Sequence, residues 1–298
     1  MLDEKFIMKA RKELREEENR KKQALEHFRE WIRKHPYIKQ IRQDDIFLLQ
    51  FLRTKKYSMD MAFRSFENYN LAQKKYAKWF DIVDSDFDQM MALYKAGYIF
   101  PLRERDEEGR KIIFIQLRRL DPEQFTSADA IRLSAVVSTA LMEEEETQIA
   151  GTATIIDHEG MTMKQTSMFS VTDIVDFADC IKNSVGRHKK LYVVNLPPFA
   201  LFLLEAARST LNDKLKKRIV IAKDMKDLAN YIDPLLLPKE HGGKYTEEEH
   251  KEFFDNYFRA VRPKLEEIKA RVVDWSKVPD LKMNSKESVG SFRKLEID

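Results

Sequence analysis

The chain of 298 residues contains one cysteine, Cys180, so an internal disulfide framework is excluded. No apolar run approaches the roughly 18 residues that a membrane-spanning helix needs. With 35% charged residues, the composition argues against a membrane-embedded protein. The N-terminus, MLDEKFIMKARKELREEENRKK, has no apolar stretch and no cleavage site. It does not read as a signal peptide, and a cytoplasmic protein is expected. Glycine is scarce: it first occurs at Gly97, and before it Pro36 is the sole proline. The net charge of +3 is too small to imply nucleic acid as a partner. There is no Walker A motif, GxGxxG, HExxH or GxSxG, and the six histidines are scattered.

What is present is enough apolar residue, 43%, for a substantial core in one large or two modest domains. Residues 1–90 read as an all-helical unit. Residues 3–34 form a charged helix with a thin apolar stripe. Ile46, Leu49, Phe51 and Leu52, then Met61, Phe63, Phe66 and Tyr69, recur at helical spacing. Ser58 is the expected N-cap of the second of these helices. After Gly97 the pattern changes. YIFPLRERDEEGRKIIFIQLRRL predicts a hairpin turning at DEEG. A helix follows, opened by a Thr126–Asp129 capping box. TATIIDHEG, KKLYVVNLP and RIVIAKD are strands separated by helical segments, the first of which Gly186 could close. Such alternation predicts an α/β domain with a mostly parallel sheet. The end, DWSKVPDLKMNSKESVGSFRKLEID, reads as polar loop.

Two stretches stand out. In LPPFALFLLEAARS, six uncharged residues follow a proline pair. Wound as a helix, Phe199, Phe202, Leu203 and Ala206 share one side, while Leu201 and Leu204 point to the other. A surface helix needs only one apolar stripe. Between residues 187 and 218, eight basic residues face two acids, an excess of +6 and twice that of the whole chain. Lys214 and Arg218 stand one helical turn apart, and Arg187 and Lys189 alternate on a strand, so two same-face pairs could clamp a phosphate. Either stretch also has a plain reading, as a buried core helix and as a solvated helix face. Asp157–His158–Glu159 is the best catalytic or metal candidate, but neighbouring strand residues point to opposite faces and do not readily converge. A polar strand end is the expectation there, and a buried small side chain at Cys180.

The order DDIFLLQFLRTKKYSMDMAFRSFENY, TIIDHEGMTM, LYVVNLPPFALFLLEAARSTLNDKLKKRI and YIDPLLLPKEHGGKY resembles the CRAL-TRIO family, over roughly residues 25–255. The tocopherol- and retinaldehyde-binding branch is most similar. The resemblance implies a helical unit (1–90), an α/β lipid-binding domain (91–250) with an internal hydrophobic pocket, and a C-terminal helix and tail (251–298). It implies a lid helix over residues 198–211. It places phosphoinositide-binding residues at Arg53, Arg187, Lys189, Lys214 and Arg218. Paired pocket serines fall at Ser134 and Ser138, with apolar lining at Ile131, Val137, Leu141, Ile155, Leu191, Leu203 and Leu211. Lid and membrane contacts fall at Phe199, Phe202, Leu203, Ala206 and Met163. Asp179, Cys180 and Ser184 stand where that branch has bulky residues, and Met161 replaces a tryptophan, so a differently shaped cavity is expected.

The implied protein is a monomeric, non-enzymatic carrier of one small hydrophobic molecule, such as a tocopherol, retinoid, carotenoid or other isoprenoid. It would need no cofactor and no metal. It would bind phosphoinositide membranes peripherally and reversibly. The alternative is a phosphoinositide-binding regulatory or tethering module that moves no cargo.

Overall fold

The computed structural model describes residues 2–269 and 272–278. Helix α1 (Glu4–Lys9) continues as a π turn (Ala10–Leu14) and ends at Arg15, whose φ of 62° is left-handed. Helix α2 (Glu18–Lys34) then starts in a new direction. The sequence reads as one helix over 3–34; the turn at Arg15 divides it. Helices α3 (Asp45–Thr54) and α4 (Met59–Lys75) follow. Asp44 caps α3 through its carboxylate, whereas Ser58 stands at the N-cap of α4 without a side-chain bond. The three helices bury an edge-to-face aromatic cluster in which Phe66 lies 5.4 Å from Phe28 and 5.1 Å from Phe51. Helices α5 (Ala77–Phe80) and α6 (Asp84–Lys95) lead to Gly97, so helix persists slightly beyond residue 90.

Among the described residues, strand β1 (Ile38–Lys39) pairs with β7 (Val272–Val273) in a two-stranded sheet of their own. The main sheet has five strands in the order β2 (Ile99–Arg105), β3 (Lys111–Gln116), β4 (Thr152–Asp157), β5 (His188–Val194) and β6 (Ile219–Ala222). The β2–β3 hairpin is antiparallel, and the remaining pairs are parallel. Between β3 and β4 run α7 (Ser127–Leu141), opened by the reciprocal Thr126–Asp129 box, and α8 (Glu145–Ala150). Between β4 and β5 run α9 (Met163–Ser167) and α10 (Val171–Asn183). Ser184, in extended conformation, ends α10, so Gly186 does not serve as its left-handed cap. Between β5 and β6 come a 3₁₀ turn (Pro198–Ala200), α11 (Leu201–Thr210) and α12 (Asp213–Lys216).

Strands laid down in consecutive order, joined by crossovers of one hand, must carry their helices on one face. Here α7, α10 and α11 all lie over the same side. The opposite side packs Phe114, Ile155 and Tyr192 into the main core with Leu228 of α13 (Met225–Leu228) and with Leu237. Helix α14 (Glu247–Lys269) packs its Phe254 and Phe258 against Tyr94. The expected loop-like tail beyond residue 278 lies outside the described residues.

Gly151, just before β4, has a φ of +89°, and a Cβ there would stand 2.2 Å from the carbonyl oxygen of Arg187. Backbone meets backbone, so neither side can yield cheaply. Gly151→Ala is therefore expected to cost about 1–3 kcal/mol in urea unfolding; unchanged stability would show that the β4–β5 junction relaxes freely.

Candidate functional site: a cavity beside a cationic seat

The covered face of the sheet is the floor of a cavity of about 400 Å³. Strand register builds that floor in rows. Ile113, Thr154, Leu191 and Ile219 are successive partners across β3 to β6, and all four line it. Ile115, Ile156 and Val193 form the next row. The walls are α7, through Ile131, Ser134, Ala135 and Ser138, and α10, through Ile174, Phe177, Cys180 and Ser184. The helical unit adds Phe47, Tyr69 and Gln73, which the sequence did not suggest.

The structure thus brings Ile131, Ser134, Ser138, Leu191, Leu203 and Leu211 together around one space. It places three expected lining residues elsewhere. Ile155 lies on the strand face opposite Thr154 and Ile156, and Val137 and Leu141 lie on the core side of α7; all three are fully buried in the main core. Asp179 points away and accepts a hydrogen bond from the Tyr76 hydroxyl at 2.9 Å.

Residues 198–211 form the cavity's roof. Ala200, Leu203, Leu204, Ala207 and Leu211 face inward. Leu201 and Phe202 face outward, 47% and 51% exposed. The helix is apolar on two faces, as expected, but with a different phase. Phe202 is outward, Leu203 is buried inside, Phe199 packs against the core, and Ala206 does not line the cavity. Met163 on α9 and Val171 on α10 are also exposed, at 62% and 50%.

The lining is mostly apolar, with polar groups interspersed. Ser134 donates to the Ala130 carbonyl at 2.8 Å. Tyr98 is deeply buried; burial pushes its phenol pKa up, and the Ser134 hydroxyl partly opposes that. The His188 ring lies 3.0 Å from the Ser184 hydroxyl and 3.3 Å from that of Thr152. Burial, then the charge of Arg218, lowers His188 to about 4, so it is neutral at neutral pH. Burial also pushes the Cys180 thiol up, which makes it a poor nucleophile. Asp157, His158 and Glu159 do not converge. Asp157 accepts from the Asn195 amide and the Glu159 N–H, both at 2.9 Å, and so fastens two strand ends, while His158 faces the cavity.

Beyond the cavity wall lies a cluster of positive side chains. Arg187 and Lys189 converge on one carboxylate oxygen of Glu13, at 2.6 and 3.2 Å. Arg218 donates to the His188 carbonyl and also lines the cavity, as Lys190 does. Burial and the neighbouring charge of Arg187 both lower the pKa values of Lys189 and Arg218. Lys214 is exposed, and its charge reaches Lys55. Seat and cavity therefore share a wall. Arg53 is not available in this arrangement. It is fully buried, held by both oxygens of Glu16 at 2.7 and 2.8 Å, by Glu145 at 2.6 Å and by Gln148 at 2.8 Å. Its charge is neutralised inside the protein.

The CRAL/TRIO domain pattern matches residues 95–243. Clavesin-2 of Rattus norvegicus is 28% identical over 244 residues, covering 81% of this chain and 75% of that protein. Clavesin-1 of Xenopus laevis is 29% identical over 244 residues, with 81% and 74% covered. The alpha-tocopherol transfer protein-like protein of Homo sapiens is 26% identical over 245 residues, with 81% and 71% covered. Among the described residues, no helix is long and apolar enough to cross a membrane.

The lowered histidines set an acid limit on the fold. His188 and His250 are both held at about 4, against 6.5 for a free imidazole, chiefly by burial. The unfolded chain takes up their protons first, so stability is full above about pH 6.5 and drains as pH falls toward 4. Thermal melts across this window are expected to lose several degrees, and His188→Gln to flatten part of the slope. An unaltered slope would mean that His188 ionises freely in the folded protein.

Proposed function

The chain belongs to the CRAL/TRIO domain family, and on that premise we propose that it carries one small hydrophobic molecule and exchanges it at membranes bearing phosphoinositides. The observation that carries this reading is the division of labour on the roof. Leu203, Leu204 and Ala207 cover an apolar space, while Leu201 and Phe202 present apolar surface to the outside next to a cationic seat. Each such side chain contributes about 1.5–3 kcal/mol when it leaves water. The outer pair gains this only against a bilayer, so a membrane offers the roof a second favourable position. Exposed Met163 and Val171 stand on the neighbouring helices and extend the contact. The seat supplies orientation: Arg187, Lys189, Lys214 and Arg218 are the expected phosphate ligands, and Arg218 touches both seat and cavity.

The mostly apolar lining favours a cargo with a long hydrocarbon body. The hydroxyls of the lining, Ser134, Ser138 and Thr139 on α7, Thr154, Ser184, Tyr69 and Tyr98, suit one polar, uncharged end. The neutral state of His188 fits the same choice, and the cations of the lining, Lys190 and Arg218, stand on the wall shared with the seat. A tocopherol, a retinoid and a sterol all meet these terms. The tethering alternative leaves the cavity without a use.

Phe202→Asp is expected to slow transfer of a fluorescent tocopherol or retinol analogue to phosphatidylinositol bisphosphate vesicles by about tenfold. Cargo affinity and melting temperature should stay near those of the wild type. Leu203→Asp should do the reverse and eject the cargo. Equal transfer rates for wild type and Phe202→Asp would refute the membrane role of the outer face. Failure of the wild type to take up any of the analogues would favour the tethering module.

A further inference from the structure

The seat is occupied by the protein itself. Glu13 lies where Arg187 and Lys189 converge, and its other carboxylate oxygen meets Lys9 at 3.0 Å. Three residues on, Glu16 grips Arg53. Arg53 and Arg187 donate to neighbouring residues of α8, the Gln148 side chain and the Ile149 carbonyl, so the two acids straddle one short helix. The segment carrying them is held by a small apolar dock. Phe6, Ala10 and Leu14 bury against Ile149 and Ala150, in a cluster separate from the large cores. The left-handed Arg15 turns the chain away between this segment and α2. No residue from Leu2 to Glu16 belongs to the apolar cluster that packs α2 to α4, and Glu16 ties the segment to α3 through Arg53.

We infer that α1 and its π turn are a built-in competitor for the cationic seat, with the Glu13 carboxylate holding the place of a headgroup phosphate until an anionic lipid displaces it. This rests on the reading of the seat as a phosphoinositide site. A carboxylate is a fitting stand-in: it is anionic, accepts two charge-assisted hydrogen bonds, and brings less charge than a phosphomonoester. The exchange thus favours a multiply charged headgroup over a singly charged lipid. Burial works against ionisation of Glu13, but Lys9, Arg187 and Lys189 outweigh it and hold its pKa at about 2. Release is therefore by competition between anions, since the carboxylate stays charged throughout the neutral range. Departure also takes from Arg53 its acceptor Glu16, a cost that keeps the segment seated when no polyanion is present.

The test compares binding to phosphatidylcholine vesicles with and without phosphatidylinositol bisphosphate, and to soluble inositol trisphosphate. Glu13→Ala removes the stand-in, and Phe6→Ala loosens the dock without touching a charge. Both are expected to tighten binding to the bisphosphate vesicles and to inositol trisphosphate by about fivefold or more. Glu30→Ala, an equal change of charge on α2, should have no such effect. Tightening by Glu30→Ala equal to that by Glu13→Ala would reduce the gain to bulk charge and overturn the competition. So would a gain with vesicles alone, which would place the hindrance at the bilayer and not at the phosphates. The double variant Arg187→Ala, Lys189→Ala separates the two ideas. If it binds as the wild type does, the headgroup reading itself fails. If it loses binding while Glu13→Ala and Phe6→Ala match the wild type, the seat stands and the competitor is refuted.

Discussion

The order in which the parallel strands are laid down governs everything else in this molecule. Because β3 to β6 are consecutive neighbours, every crossover returns over the same face. Three helices then share one side of a twisted sheet, and they do not close upon it. The rows Ile113–Thr154–Leu191–Ile219 and Ile115–Ile156–Val193 are left facing a space instead of a packed layer. The other face, with Phe114, Ile155 and Tyr192, is buried in the main core. One sheet thus divides its two surfaces between a packed core and an open cavity.

The same topology sets cavity and charge side by side. A register break in the β4–β5 pairing, where Thr152 meets His188 and Ala153 meets Lys190, interrupts the alternation along β5: Arg187 and Lys189 reach Glu13, while His188, Lys190, Leu191 and Val193 line the cavity. The residues that meet Glu13 are therefore one position away from residues that line the cavity. Arg218 spans both, lining the cavity and donating to the His188 carbonyl. The roof enters between β5 and β6, so its two apolar faces and the seat belong to one local unit.

Much of this is legible in the sequence. The hairpin, the Thr126–Asp129 box, the parallel strands and the two-faced helix depend on local spacing, and local spacing is what a sequence records directly. The departures have identifiable causes. The roof begins with a 3₁₀ turn at Pro198–Ala200, which winds about 3.0 residues per turn, so the helix after it is rotated relative to a pure 3.6-residue wheel started at Phe199. That rotation moves Phe202 out and keeps Leu203 in. Helix α7 is apolar on nearly every side, so periodicity could not say whether Val137 or Ser138 sees the cavity. Strand β4 carries one isoleucine on each face, Ile155 and Ile156, which hid the orientation of Ile155. The pairing of Arg53 with Glu16, Glu145 and Gln148 is long-range and leaves no periodic trace. The same holds for the contacts of Glu13 with Arg187 and Lys189, which lie more than 170 residues away.

The central claim is that the space beneath residues 198–211 holds an apolar molecule. Native mass spectrometry of the protein purified from its own cells, followed by solvent extraction, addresses it directly. The account predicts a one-to-one complex whose extra mass is a single hydrophobic compound with one uncharged polar end. Protein that flies at its bare sequence mass, and that yields no lipid on extraction, would contradict it.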